Sequence, residues 1–239
     1  PIIFDVLKIN QAQGATSWNH YTVRANPEYA VFADSGNGLY ALDSLVTENE
    51  YLHTQCEFTG RFRVRTIDPL TGCEVWSGRS PVLDLQDLVP APVVVCRVTV
   101  EESDDAVLLE WEAVLEDDLV EMEISRQRSD ENTWTVLQSG PDTLQTSYLD
   151  QGLDCDVYSY CYRIEILDIC GNEVASRTSC TMQLVADNEP FYSNLEWTPY
   201  KGWGQELRSY QVFLGRHFGG AEHLVAITDT AMTNYYDQD

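Results

Sequence analysis

The chain has 239 residues, 44% of them hydrophobic, which is enough apolar side chain for one large core or two to three small ones and is not the composition of a disordered chain. Lys plus Arg number 14 against 39 Asp plus Glu, a formal net charge of −25. Such a surface repels phosphate backbones and anionic headgroups, so nucleic acid is excluded as a partner. Direct membrane insertion is excluded too, because no run approaches the ~20 apolar residues of a spanning helix.

Taken in chain order, the first strand-like run, Ala15-Thr16-Ser17-Trp18, ends in a tryptophan, and so do Val107-Leu108-Leu109-Glu110-Trp111 and Asn194-Leu195-Glu196-Trp197. A second alternating segment follows each: Tyr29-Ala30-Val31-Phe32, Met122-Glu123-Ile124 and Tyr210-Gln211-Val212-Phe213. A turn rich in Gly, Asp or Asn comes next, then further strands at Leu39 to Leu42, Trp134 to Leu137 and His223 to Ile227. Tyrosine-bearing segments around Tyr51, Tyr148 and Tyr235 complete the match. Landmarks at matching offsets define a repeat of about ninety residues.

Each of the first two repeats closes with a hairpin. Phe62-Arg63-Val64-Arg65-Thr66-Ile67-Asp68 aligns with Tyr162-Arg163-Ile164-Glu165-Ile166-Leu167-Asp168, and Pro69-Leu70-Thr71-Gly72-Cys73 stands where Cys170-Gly171-Asn172 turns the later chain. The third repeat reaches Asp239 with no such hairpin, so its last two strands are expected to be missing and to come from a continuation or from another chain. The expected modules are residues 1–90, 91–180 and 181–239. Leu88-Val89-Pro90-Ala91-Pro92 forms a stiff joint between the first two, with no linker before the third. Short strands, regular turns and no helical periodicity imply an all-β chain of tandem fibronectin type III/immunoglobulin-like β-sandwiches. Trp111 and Tyr160 suit the core tryptophan and the tyrosine corner. The type III topology fits better, since no Cys precedes the Trp as a sheet-bridging disulfide requires.

The seven cysteines contain no Cys-x-x-Cys pair, and His20, His53, His217 and His223 do not interleave with them at zinc spacing. Disulfides in an oxidising, extracellular setting are therefore expected, with an odd thiol left over. Cys155 with Cys170 and Cys56 with Cys73 are disfavoured. About eight strand residues at ~3.3 Å each hold such a pair roughly 26 Å apart, against a Cα limit of ~7 Å. Cys161 starts one strand and Cys180 ends its antiparallel neighbour, so Cys161–Cys180 is the leading pair. Cys56–Cys96 is the analogous bridge of the first repeat, with Cys96–Cys170 competing.

No nucleophile elbow, phosphate loop or His-Glu-x-x-His motif is present, so no catalytic residue is assigned and no cofactor is expected. The exception is Ca²⁺, which acidic loops at Asp104, Asp105, Asp117 and Asp118 offer to hold, set against plainly solvated loops because no EF-hand spacing occurs. His217 and His223 flank a Gly-Gly turn and make at best a two-ligand metal site. Tyr200 and Trp203, with Tyr235, offer either an aromatic platform for a glycan or closure of the third core. Val75-Trp76-Ser77-Gly78-Arg79-Ser80 resembles the Trp-Ser-x-Trp-Ser box of cytokine receptors but lacks the second Trp, and no receptor reading is taken from it.

Leu195-Glu196-Trp197-Thr198-Pro199-Tyr200-Lys201-Gly202-Trp203, with Tyr210-Gln211-Val212-Phe213 and Thr233-Asn234-Tyr235-Tyr236-Asp237, resembles the fibronectin type III-like modules of large secreted surface proteins of gliding bacteria. The hairpin Tyr160-Cys161-Tyr162-Arg163-Ile164 with Asp168-Ile169-Cys170-Gly171-Asn172 is similar to the same modules. The resemblance implies a non-enzymatic segment of an exported multidomain protein associated with gliding motility and type IX secretion. Its modules would act as spacers or adhesins, and its partners would be other domains of the same polypeptide or other surface proteins. A carbohydrate-binding accessory module and a fibre subunit are the alternatives.

Overall fold

The computed structural model describes residues 4–8, 13–18, 28–34, 36–68, 70–101, 105–115, 118–141, 144–189, 192–202, 207–215 and 222–237. All regular structure among them is β-strand, and the strands pair antiparallel.

The first repeat holds β1 (Phe4–Lys8), β2 (Gln13–Trp18), β3 (Tyr29–Asp34), β4 (Ala41–Val46), β5 (Glu50–Thr54), β6 (Phe58–Ile67), β7 (Glu74–Trp76) and β8 (Leu83–Leu85). They form one sheet of order β1-β2-β5 and a second of order β4-β3-β6-β7, with β8 also on β6. Between the two sheets lies a core of Trp18, Tyr29, Val31, Phe58, Phe62, Val64, Leu83 and Leu85. The inward residues of β6 recur at every second position, as the period of a strand demands. Gly60 belongs to that inward row because a side chain there would run into the Asp34 carbonyl.

The second repeat has the same order: β9 (Val95–Val100), β10 (Ala106–Trp111), β11 (Leu119–Arg128), β12 (Thr135–Gly140), β13 (Ser147–Gln151), β14 (Tyr160–Asp168), β15 (Glu173–Ala175) and β16 (Ser179–Cys180). Its sheets are β9-β10-β13 and β12-β11-β14-β15, with β16 on β14. Tyr160, Tyr162, Ile164, Ile166 and Asp168 of β14 point inward without a break. The hairpin turn is set by chemistry at both ends. Gly171 sits at φ 86°, and Asp168 Oδ1 accepts the N–H groups of Cys170 and Asn172 at 2.9 and 2.8 Å. Asp154 N–H donates to the Tyr160 hydroxyl at 3.0 Å, the tyrosine-corner bond.

The third repeat holds β17 (Leu184–Glu189), β18 (Tyr192–Trp197), β19 (Ser209–Leu214), β20 (His223–Asp229) and β21 (Asn234–Asp237), in sheets β17-β18-β21 and β19-β20. Three details put the repeats in structural register. Trp18, Trp111 and Trp197 each donate their backbone N–H to a carbonyl just before the fifth strand, at Asn49, Thr146 and Thr233. The third strand shifts register against the fourth at Val31/Phe32, Ile124/Ser125 and Val212/Phe213. Trp18 meets Tyr29 edge-on at 5.3 Å and Trp197 meets Tyr210 edge-on at 5.5 Å.

The chain divides into two compact units. The first is Pro1–Pro90 with Glu116–Leu119 and Asp168–Asn172; the second is Ala91–Leu115, Val120–Leu167 and Glu173–Asp239. The second and third repeats fall in one unit because backbone bonds cross their junction. Cys180 N–H donates to the Lys201 carbonyl, and the Gln183 amide donates to the carbonyls of Asp156 and Val157.

Candidate functional site

The sites expected from the sequence come out unevenly. Cys161 and Cys180 lie directly opposite on β14 and β16 and are joined, with Cα atoms 3.9 Å apart. Cys56 is joined to Cys170, at a Cα distance of 5.4 Å, and this corrects both expected pairings of Cys96. The physical reason is register. Cys161 is a residue of β14, whereas Cys56 lies in the bend before β6, so the two are not equivalent and Cys56 has no β16-like partner. Cys170 instead rides on the Asp168-capped turn, which packs with the first unit. Cys96 and Cys73 are exposed thiols, and Cys155 lies outside both disulfides.

Of the four candidate calcium ligands, Asp104 and Asp117 lie outside the described residues; Asp105 is exposed and Asp118 buried. Among the described residues, the group whose ligand atoms converge within 4.8 Å is a different one, Asp87, Asp168 and Cys170. Its chemistry is already committed. The Cys170 sulfur is in the disulfide, Asp168 accepts the turn N–H groups, and the Asn172 amide donates to both Asp87 and Asp168. His217 and Trp203 also lie outside the described residues, and His223 is exposed at the start of β20.

The buried polar groups serve the sandwiches. Asp150 on β13 takes two bonds from Arg126 of β11, at 3.0 and 2.8 Å, and one from the Tyr162 hydroxyl of β14 at 3.0 Å, tying one sheet to the other. Burial first, and the Asp150 carboxylate next, push the Tyr162 hydroxyl pKa well above the ordinary tyrosine value. The matching position on β5 is His53, buried against the rings of Phe58 and Phe62 at 4.4 and 5.2 Å, with Nδ1 3.4 Å from Asp43. Its Nε2 is buried with no hydrogen-bond partner among the described residues, and the ring packs against the core phenylalanines.

The segment Trp76 to Ser80 does structural work that motif reading passed over. Ser77 and Ser80 hydroxyls accept the N–H groups of Val64 and Phe62, both at 2.8 Å, while Arg63 and Arg65 lie 4.9 and 5.4 Å from the Trp76 ring. Ser176 accepts the Ile164 N–H at 2.9 Å in the second repeat. The legible signal was the recurrence of Ser at the same distance after each hairpin.

The cavity with the most apolar lining, about 480 Å³ in volume, opens within the second unit, between Cys96, Arg97 and Val98 of β9 and Leu195, Trp197 and Val212 of the third repeat. Tyr200 forms part of its wall. Its backbone N–H donates to the Tyr210 hydroxyl at 3.0 Å, and burial raises its own hydroxyl pKa, offset in part by a bond with Ser179. Leu195 and Val212 are only partly buried, whereas Leu109 and Val31 at the matching positions are fully enclosed.

No family model matches the sequence, and no curated protein matches it. Among solved structures, the fibronectin type III domains FN1–FN3 of chicken CNTN1 are similar over 98% of this chain and 86% of that chain, at 9% identity and a TM-score of 0.33. A structure described as a myokine is similar over 38% of this chain and 96% of that chain, at 23% identity and a TM-score of 0.30. The fold rests on strand pairing. In the second repeat the first, second and fifth strands form one sheet, and the fourth, third, sixth and seventh form the other. That order is the fibronectin type III arrangement.

Proposed function

We propose that this chain is a non-enzymatic segment of a secreted or cell-surface bacterial protein whose modules space or assemble other domains. The observation that carries the reading is the use of its buried polar chemistry: Asp150, Arg126, Tyr162, Asp168 and His53 hold sheets and turns, with no nucleophile beside a base in an open cavity among the described residues. The two disulfides support an oxidising compartment, and the sequence resemblance to surface modules of gliding bacteria supports a bacterial cell surface. Non-reducing peptide mapping of chain recovered from the cell surface or medium is expected to return Cys56–Cys170 and Cys161–Cys180. Recovery of those four residues as thiols in cytoplasmic protein overturns the export reading.

The glycan alternative predicts array binding that Trp203→Ala abolishes. The packing of Tyr200 onto Tyr210 supports the core role instead.

A further inference from the structure

The first and second repeats place different chemistry at one point of the sandwich. In the second, Arg126, two residues after Ile124 where β11 shifts register, bonds both carboxylate oxygens of Asp150 and stands 5.6 Å from the Tyr160 ring. In the first, the same position, two residues after Val31 of β3, is Ala33, and His53, Gly60 and Phe62 stand for Asp150, Tyr160 and Tyr162. A cavity of about 810 Å³ opens there within the first unit, with Ala33 and His53 in its wall. Asp43, Glu57 and Asp87 also line it, and among the described residues no Lys or Arg does. His53 is 4% exposed, its Nδ1 lies 3.4 Å from Asp43, and its Nε2 has no hydrogen-bond partner among the described residues. The tautomer that donates Nδ1–H to Asp43 leaves Nε2 an acceptor.

We infer that this cavity of the first repeat receives a guanidinium group, the arginine side chain of a partner protein, at the point that Arg126 fills in the second repeat. Charge selects a cation, because carboxylates line the cavity without a basic side chain among them. Geometry selects an organic cation over a metal ion. Of the lining residues only Asp87 belongs to the convergent ligand group found among the described residues, so the wall does not gather three ligand atoms around one point. A planar fork of N–H donors suits carboxylate oxygens and an imidazole acceptor spread along one wall. Leu42 and Leu88, both exposed and both in the lining, suit the methylene stem that an arginine side chain carries behind its head group. The net charge of −25 steers a basic partner toward the chain. The inference stands on the lining of the first unit and does not depend on the compartment.

The test titrates the intact, isotope-labelled chain with acetyl-arginine methylamide at fixed ionic strength and follows the amide resonances of residues 41–43 and 53–59. Saturable shifts confined to these segments are expected, and the neutral citrulline analogue is expected to bind at least about tenfold more weakly. Asp43→Asn should weaken arginine binding at least about fivefold. Ala33→Arg, which supplies the guanidinium from β3 as β11 does in the second repeat, should abolish it. If either variant fails to fold, the comparison of arginine with citrulline on the wild-type chain still decides. Equal binding of the two analogues, or shifts that spread over the acidic surface without saturating, overturns the inference. Tighter binding of agmatine, which has the guanidinium without the peptide groups, assigns the cavity to a free small cation and overturns the partner protein. Saturation of the same amides by Ca²⁺ at lower concentration than by arginine overturns it as well, because the site is then a metal's.

Discussion

The second and third repeats start from the same strands, the same Trp and the same register shift in the third strand, and differ after the fifth strand, where the second continues through β14, β15 and β16. β11 is paired with both β12 and β14, whereas among the described residues β19 is paired with β20 alone. With β14 come the Tyr162 bond to Asp150, the Asp168 turn, the Ser176 latch on Ile164 and the Cys161–Cys180 disulfide. Ile124 is fully enclosed while its counterpart Val212 is not. A sandwich core is shared between two sheets, so withholding one central strand uncovers residues on both. The lesson is that the strand beside the third one decides how deeply the core residues of its sheet are buried.

The largest expected effect comes from the core tryptophans. Trp111→Ala should lower stability by about 3–5 kcal/mol, and Trp197→Ala by about 1–2 kcal/mol, because a partly exposed ring leaves less of a cavity behind. Urea denaturation followed by strand-specific hydrogen exchange measures both. Equal losses would erase the contrast between the repeats.

Next is the staple. Replacing Cys161 and Cys180 by Ser should cost about 3 kcal/mol by loop entropy, read as a shifted urea midpoint for the second repeat with that of the first unit unchanged.

Tyr162→Phe should cost about 1.5–3 kcal/mol near neutral pH, since the hydroxyl bonds a buried carboxylate. The pH dependence has a definite sign. The folded-state pKa of Tyr162 is raised, so its contribution is fully present below the ordinary tyrosine value of 10.0 and is lost as pH rises above it, when the unfolded chain releases the proton first. Thermal melts of the wild-type chain should therefore fall more steeply above pH 10 than those of Tyr162→Phe. Parallel curves would remove Tyr162 from the account.

The smallest effect is Ser176→Ala, about 1 kcal/mol, together with faster exchange of the Ile164 amide. An unchanged amide would show that the latch is not needed to hold β14.

Much of this was legible in the chain. The alternation through Tyr160–Asp168 placed β14 and its inward face, the tryptophan spacing placed the repeats, and Cys161 with Cys180 followed from antiparallel neighbours. What resisted was set by contacts between segments far apart in sequence. Cys56–Cys170 joins residues 114 apart, and nothing local to either distinguishes it from a pairing with Cys96. Asp150 reads as one more acidic residue until Arg126 and Tyr162 are brought to it. Trp76 and the serines after it were visible as a motif, but their latch on β6 appears only when the hairpin is folded.

Sequence by itself determined the strands, their faces, the turns and the repeat, because each follows from periodicity, Gly conformation or side-chain capping within a few residues. Tertiary structure alone decided which unit the Asp168 turn belongs to, which cysteines meet, and how far each core residue is covered. Those outcomes depend on pairing across tens of residues, where the covering of one strand is settled by the presence or absence of another.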